Sequence, residues 1–198
     1  IGTDKLRIVI KNMREEIERL GGTCLFRTKL TGLELEELKE QRTQLSGIVV
    51  NDHELLECET LVLALGHSAR DTFSMLYQNK LQMEKKAFAI GVRMEHPQQL
   101  INENQYGECS TSLPAADYKL TYTTQEGRGV YSFCMCPGGF VVNASSEEGR
   151  LAVNGMSNYD RSERNANSAI VVAVKPEDFV YYGQVEDTPL AGMEFQRQ

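Results

Sequence analysis

The chain has 198 residues, 41% of them hydrophobic and 25% charged, which is ordinary for a globular protein and enough to bury a core. Its formal net charge of -7 argues against binding to nucleic acid or an anionic membrane, since an acidic chain has no electrostatic reason to bind either. No apolar run approaches the roughly 20 residues that cross a bilayer, and no signal peptide is visible.

The chain begins with a predicted amphipathic helix. The apolar residues of one face recur at steps of four and three: Leu6, Ile10, Met13, Ile17 and Leu20. Asp4 is expected to cap this helix, and the glycine pair at 21–22 is expected to end it. Residues 23–30 read as a strand, so the helix, the glycines and this strand indicate a crossover unit of a parallel sheet.

A small antiparallel meander is predicted next, with strands at residues 33–38, 46–50 and 54–58. The stretch 61–65 is apolar at every position, which is typical of a central strand that is covered on both faces. Gly66 ends this stretch.

The second half of the chain reads as a mostly antiparallel sheet after a short helix at 71–79. Strands are predicted where apolar and polar residues alternate or where short apolar runs occur, at residues 88–94, 118–122, 129–136, 140–144, 151–153 and 169–174. We therefore expect an α+β or α/β fold with a boundary near residue 85. Residues 1–84 would form a Rossmann-like layer with the meander, and residues 85–198 a substrate-type domain that is mostly antiparallel β.

The apolar stretch 61–65 runs into a turn that carries polar and charged side chains. Ligands bind at the carboxyl ends of strands in open parallel sheets, and a glycine such as Gly66 lets the backbone approach a cofactor closely. Ser68 can hydrogen-bond, and Arg70 can pair with a phosphate or a carboxylate. His67 is the most attractive titratable residue, because imidazole both donates and accepts near neutral pH. From the pattern alone, a buried strand ending in an ordinary turn is the favoured interpretation.

Two cysteines, Cys134 and Cys136, precede a Pro-Gly-Gly turn. On a regular strand they face the same side, so they could form a redox pair or bind a metal. A zinc site is disfavoured because no second Cys/His pair stands at zinc spacing. The pair also lacks the helix N-terminus that lowers the thiol pKa in many redox motifs. We favour two small buried residues over the redox pair. The odd count of five cysteines favours reduced thiols in the cytoplasm over a disulfide framework.

A dense polar cluster follows, and its candidate substrate-binding residues are Asn154, Arg161, Arg164 and Asn167. In a loop these donors could line a substrate or flavin site, although a solvated loop is the plainer interpretation. Arg93 reads as a surface charge unless the fold turns it inward. The chain has neither Gly-x-Gly-x-x-Gly nor Gly-x-x-x-x-Gly-Lys-[Ser/Thr], so it lacks a loop that would hold a pyrophosphate.

Five segments together resemble the uncharacterised FAD-dependent dehydrogenases of the glutathione-reductase-like flavoprotein superfamily. The segments are residues 63–71, 86–97, 116–119, 130–139 and 153–157. The resemblance implies a parent protein with a glycine-rich phosphate loop and a second glycine-rich flavin segment, neither of which is in this sequence. Because the chain opens without a methionine and stops without a terminating signal, we expect it to be an internal piece of such a parent.

The resemblance also implies site residues. Thr28, Lys29 and Leu30 would pass the adenine end of FAD with backbone groups. Ala64, Leu65 and Gly66 would pass the dinucleotide nearer the flavin. His67 and Arg70 would lie near the flavin or the phosphates, with His67 the candidate catalytic residue.

The first hypothesis is that the chain is the middle of a cytoplasmic FAD-dependent oxidoreductase, inactive on its own, whose parent acts on a small-molecule substrate or electron acceptor. Neither a metal nor a nucleic acid is expected, and the oligomeric state stays open. The alternative is a non-catalytic binding or interaction domain.

Overall fold

The computed structural model describes residues 2–38, 42–110 and 112–198, and the chain divides into two compact units. The first unit comprises Ile1–Gly22 and Lys86–Asp178, and the second comprises Thr23–Lys85 and Phe179–Gln198. Assigning residues 1–84 to a cofactor layer and residues 85–198 to a substrate domain stays a prediction.

The elements combine helices with antiparallel strands. The helices are α1 (Thr3–Arg19), α2 (Arg70–Gln78), α3 (Gln98–Tyr106), α4 (Pro176–Tyr181) and α5 (Ala191–Arg197), with a 3-10 turn at Gly107–Cys109. The strands are β1 (Leu30–Leu38), β2 (Arg42–Val50), β3 (Glu54–Glu57), β4 (Phe88–Pro97), β5 (Thr121–Thr123), β6 (Gly129–Cys136), β7 (Gly139–Asn143), β8 (Val153–Ser157) and β9 (Asn165–Val174). Every pairing between these strands is antiparallel. A mixed fold with mostly antiparallel sheets is therefore confirmed, and a Rossmann-like layer is not shown.

Helix α1 forms where the periodicity predicts it, but its cap differs. Gly2 is the N-cap, and the Asp4 carboxylate lies in the first turn, where it accepts a hydrogen bond from the Tyr159 N–H at 2.9 Å. The prediction that Asp4 caps the helix is therefore wrong. The apolar face remains open, with Ile10 56% and Met13 57% exposed, and no residue of the helix is buried.

The second unit contains the predicted meander, a sheet with strand order β1-β2-β3. The predicted strand at 23–30 is wrong, because regular pairing begins only at Leu30, which lies opposite Val50. Just before it, Lys29 donates its N–H to Asn51 Oδ1 and accepts from the Asn51 N–H, both at 2.9 Å. This reciprocal pair ties the incoming chain to the β2–β3 turn, so a crossover into a parallel sheet does not form here.

The predicted central strand at 61–65 is also wrong in this structure. Residues 61–66 have no regular secondary structure, and Val62 is 83% exposed. An all-apolar stretch is expected to be buried on both faces, but a strand also needs partner strands that satisfy its backbone hydrogen bonds. The described sheet of this unit ends at β3 and provides no neighbour for residues 61–65.

The first unit contains the predicted antiparallel sheet, with strand order β4-β9-β6-β5, and a separate pair β7-β8. Strand β9 lies inside the larger sheet, and Ala166, Asn167 and Ser168 on it are fully buried. Strand β8 begins at Val153, two residues later than predicted, and β5 is confined to Thr121–Thr123. The patterns missed α3, α4 and α5, which are short.

A partly buried ion pair lies in this unit near its C-terminal boundary. Arg128 donates from Nη1 and Nη2 to the two Asp178 carboxylate oxygens at 2.7 and 2.9 Å, and Nη1 also donates to the Ala173 carbonyl. The Lys175 N–H donates to the same carboxylate at 2.7 Å. The Arg128 hydrogen bonds, more than any other cause, lower the pKa of Asp178 from 3.8 to about 2.

This pair predicts a pH-dependent stability. Because folding lowers the pKa of Asp178, its contribution is fully present above about pH 4 and is lost as pH falls through about 2. We expect Asp178→Asn to lower the free energy of unfolding by about 2 kcal/mol at pH 7. Urea titrations at pH 7 and at pH 3 measure the difference, which should shrink at the lower pH. Asp117→Asn is the control at an exposed carboxylate, and an equal effect of both variants would contradict the prediction.

Candidate functional site

The turn between β6 and β7 is held by the buried side chain of Gln98, at the start of α3. Its Oε1 accepts from the Gly138 N–H at 2.7 Å, and its Nε2 donates to the Ala116 carbonyl at 2.9 Å and to Asn102 Oδ1 at 2.8 Å. Both donors and the acceptor of the amide are therefore used, which fixes the orientation of Gln98 and the position of the turn.

The turn is packed too closely for a side chain at its centre. Gly138 has a φ of +46°, and an added Cβ would lie 1.7 Å from the Arg161 carbonyl oxygen. The Ser157 hydroxyl donates to the Pro137 carbonyl at 2.8 Å on the β8 side. Gly138 is therefore a structural requirement of this turn.

Beside the turn, Arg93 of β4 reaches toward β9 and β6. Its Nη1 donates to Asn167 Oδ1 at 2.7 Å and to the Cys134 carbonyl at 3.1 Å. An added Cβ at Gly155 would lie 2.2 Å from each of those two side-chain atoms, so β8 covers the pair closely. The fold has turned Arg93 inward, the condition under which it was expected to be more than a surface charge.

Asn167 is fully buried, yet its Nδ2 has no hydrogen-bond acceptor in the part of the chain that the structure describes. A buried donor without a partner costs about 1–3 kcal/mol, and such a group in a folded protein calls for an explanation. The arrangement therefore offers an unused donor beside the Arg93 guanidinium.

The two cysteines lie at the edge of this network, which we call the Arg93–Asn167 network. Phe133 pairs with Ala169 and Cys136 pairs with Asn167, so β6 carries one extra residue between them, a β-bulge. Cys134 lies in the bulge with a φ of +50° and is exposed, whereas Cys136 is buried. The prediction of two buried cysteines therefore holds for Cys136 and is wrong for Cys134, because the bulge interrupts the regular alternation.

Several neighbours act on the Cys136 thiol. Its Sγ donates to the Cys134 carbonyl at 3.4 Å. Burial is the main cause that raises the pKa of Cys136, and the Cys134 side chain raises it further through its charge and a hydrogen bond. Arg93 and a hydrogen bond with Ser157 lower this pKa. The Cys134 carbonyl is therefore a shared acceptor for the Cys136 thiol and the Arg93 guanidinium.

The predicted substrate-binding residues are only partly brought together. Asn167 lies at the centre of the network, on strand β9 rather than in a loop. Arg161 and Arg164 have exposed side chains, and their carbonyls face Gly138 and the Gln98 N–H. Asn154 is exposed on β8. Whether these four residues bind substrate stays a prediction.

Sequence reasoning gave no site role to Arg93 or Gln98. A long cationic side chain within the alternating strand 88–94 is a signal that could have indicated Arg93. Nothing in the sequence indicates that Gln98 is buried, since it stands among polar residues directly after Pro97.

In the second unit, an ion pair connects two of the segments predicted to bind cofactor. The Lys29 ammonium pairs with the Asp71 carboxylate in the first turn of α2. Hydrogen bonding to Lys29 and then to the Thr72 N–H lowers the pKa of Asp71. The segment 28–30 is thereby linked to the start of α2, next to Arg70. Thr28 is half-buried, and its hydroxyl donates to the Phe26 carbonyl at 3.2 Å.

The turn after residues 61–65 is open. Gly66 has a φ of +68°, and an added Cβ would find no atom within 4 Å. Ala64, His67 and Ser68 are exposed and Leu65 is half-buried. Arg70 is half-buried and donates to Gln196 Oε1 at 3.2 Å. The FAD-binding roles of these residues and the catalytic role of His67 stay predictions.

An open apolar groove of about 480 Å³ lies on the meander of the same unit. Its walls include Leu33, Leu35 and Leu45 of the sheet, together with Leu61 and Leu63 of the irregular stretch. None of the predicted site residues lines it. The groove therefore lies between the meander and residues 61–63.

Two absences apply to the described residues. Within 2–38, 42–110 and 112–198, no three His, Cys, Asp or Glu side chains are grouped so that they could hold a metal ion. In the same ranges no helix has both the length and the apolarity that membrane crossing requires.

Comparisons with known proteins support a flavin connection. The profile of a family described as "FAD-dependent protein, C-terminal domain-like" matches residues 87–198. A protein of Clostridium beijerinckii described as uncharacterized is 56% identical to this chain over 200 residues. The match covers 100% of this chain and 36% of that protein, so the chain spans about a third of the length of the relative.

The close packing of the Gly138 turn predicts a specific destabilisation. Gly138→Ala should lower the free energy of unfolding by more than about 2 kcal/mol, because the new methyl group must displace the Arg161 carbonyl as well as adopt a positive φ. Gly149→Ala is the matched control, since its φ is +70° but an added Cβ meets no atom within 4 Å. Urea denaturation of both variants measures the difference, and an equal loss in both would contradict the packing argument.

Proposed function

The chain belongs to the family of FAD-dependent proteins whose C-terminal-like domain matches residues 87–198, and from that membership we propose that it is part of an FAD-dependent oxidoreductase. The family match is the observation that carries the proposal. Since the chain spans 36% of its relative's length, the phosphate-binding wall of the flavin site comes from other segments of the full-length protein, and this chain alone is inactive. Residues 1–84 contribute to the cofactor layer, and residues 85–198 form the substrate-side domain.

The exposed apolar surfaces support this division of labour. Val62 is 83% exposed and Leu63 40%, and the open face of α1 includes Ile10 at 56%. Burying apolar surface contributes about 25 cal/mol per Å², so such faces are normally covered by other structure. In the full-length protein we expect residues 61–65 to be covered by other structure.

The residues of the second unit fit a dinucleotide. Gly66 leaves open space where a side chain would otherwise stand, which suits close approach of a cofactor to the backbone. Ser68 is exposed and offers a hydroxyl, and Arg70 adds positive charge at the N-terminus of α2, where phosphate is favoured. At residues 28–30, both backbone groups of Lys29 already bond Asn51, so contacts there would come from Thr28 and Leu30.

Bound FAD would supply hydride or single-electron transfer to a small-molecule substrate or acceptor. The protein residues would bind and orient the substrate or acceptor. Arg93 and the unused Asn167 amide present donors to an anionic or carbonyl group, while Arg161 and Arg164 place cations at the rim of the same unit. His67, exposed after Gly66, is the proposed proton carrier.

The full-length protein tests the proposal directly. After purification its visible spectrum should show the two absorption bands of oxidised flavin, and acid release followed by chromatography should identify FAD. A protein that shows no flavin absorbance, even after incubation with added FAD, would overturn the proposal.

A substitution at Gly66 tests the cofactor-binding segment. We expect Gly66→Ala to weaken FAD binding about tenfold, equivalent to about 1.4 kcal/mol, because its methyl group enters the space proposed for the cofactor. Gly127→Ala is the control, since both glycines have a positive φ and neither added Cβ meets an atom within 4 Å. Fluorescence titration of the apo-protein with FAD measures both variants. Equal affinities would remove Gly66 from the proposed site.

A further inference from the structure

We infer that Cys134 and Cys136 form a redox-active dithiol, which cycles between two thiols and an intramolecular disulfide by exchange with thiol and disulfide compounds. The inference does not depend on flavin binding. It rests on the bulge in β6, the different exposure of the two thiols, and the Arg93–Asn167 network beside them.

The bulge in β6 bears on whether the two sulfurs can reach each other. In a regular strand, residues two apart have Cα atoms about 6.6 Å apart, close to the upper limit of about 6.8 Å for a disulfide, and their Cβ vectors run parallel. The bulge breaks that regularity at Cys134, whose φ is +50°. A bulge re-aims a side chain, and here Cys136 Sγ lies 3.4 Å from the Cys134 carbonyl oxygen and donates to it.

The two thiols differ in their access to solvent. Cys134 is exposed and can meet a disulfide from solution, whereas Cys136 is buried and can meet only its neighbour. An exposed thiol can attack a disulfide from solution, and a second thiol beside it can resolve the mixed disulfide that forms. A merely structural pair would have no reason to expose one sulfur on a strained residue.

A cation and an amide donor lie in the surroundings of the two cysteines. Thiolate is the reactive form of cysteine, and nearby cations or donors favour it. Arg93 donates to the Cys134 carbonyl and lowers the pKa of Cys136 against the raising effect of burial. Asn167 lies directly opposite Cys136 across the β6–β9 ladder and has an amide donor without an acceptor in the described chain. Arg93 therefore partly offsets the effect of burial, which on balance still raises the pKa of Cys136.

The exchange balances with a low-molecular-weight disulfide as the oxidant. The Cys134 thiol loses its proton, and the thiolate attacks one sulfur of the disulfide. The S–S bond breaks, Cys134 is left in a mixed disulfide, and the other sulfur takes up the proton and leaves as a thiol. The Cys136 thiol then loses its proton and attacks Cys134 Sγ, which expels the second thiol. Two protein thiols have been oxidised and one disulfide has been reduced, a transfer of two electrons, and excess thiol reverses both steps.

The test uses the full-length protein in glutathione buffers that range from reducing to oxidising. Free thiols are blocked with N-ethylmaleimide, and the peptide that carries both cysteines is analysed by mass spectrometry. We expect this peptide to pass from doubly alkylated to unalkylated with the mass of an internal disulfide, and to return on reduction. A peptide that stays doubly alkylated in every buffer would overturn the inference.

Single variants separate the roles of the two thiols. In oxidising buffer, Cys136→Ser should accumulate a glutathione adduct on Cys134, about tenfold above the wild type, because the resolving thiol is gone. Cys134→Ser should leave Cys136 unmodified, and Cys109→Ser, at an exposed cysteine outside the pair, should behave as the wild type. Equal adduct on Cys134 in the wild type and in Cys136→Ser would overturn the inference, and the wild-type mapping decides the matter even if a variant fails to fold.

Discussion

The contact of Arg93 with Asn167 is the interaction around which the first unit is arranged. It joins β4 to β9 through one charged hydrogen bond of 2.7 Å, and the same guanidinium nitrogen reaches the Cys134 carbonyl in the bulge of β6. A charge-assisted hydrogen bond in a half-buried setting contributes about 1.5–3 kcal/mol, and removing one partner would strand the other. The small size of Gly155 is a consequence, because any side chain there would occupy the position of this pair.

The same network lies where the sheet departs from regularity. The extra residue in β6 lies opposite the stretch of β9 that contains Asn167, and the turn that follows is held by Gln98 from α3. Buried polar networks fix one arrangement when their members are satisfied. Here one donor, Asn167 Nδ2, lacks an acceptor within the described chain, and it lies on the residue that faces Cys136. The side chains that order this part of the sheet are therefore also those that surround Cys136.

The sequence was sufficient for elements that local periodicity determines. The face of α1, the meander and strands β4, β6 and β9 follow from alternation or from steps of three and four. The predicted strand at residues 61–65 is wrong because apolar composition indicates only that a segment is to be buried. Whether it forms a strand depends on partner strands from other parts of the chain. Asn167 was selected as a loop residue but lies buried on β9, and Gln98 was missed. The positions of both depend on long-range pairing that no local pattern encodes.

One measurement tests both the bound flavin and the dithiol of Cys134 and Cys136. The full-length protein is oxidised with glutathione disulfide, desalted, and titrated anaerobically with dithionite, beside the double variant Cys134→Ser/Cys136→Ser. A flavin band should bleach in both proteins, and the wild type should consume two electrons more per molecule than the double variant. Equal consumption by both proteins would contradict the dithiol, and the absence of any flavin band would contradict the flavoprotein assignment.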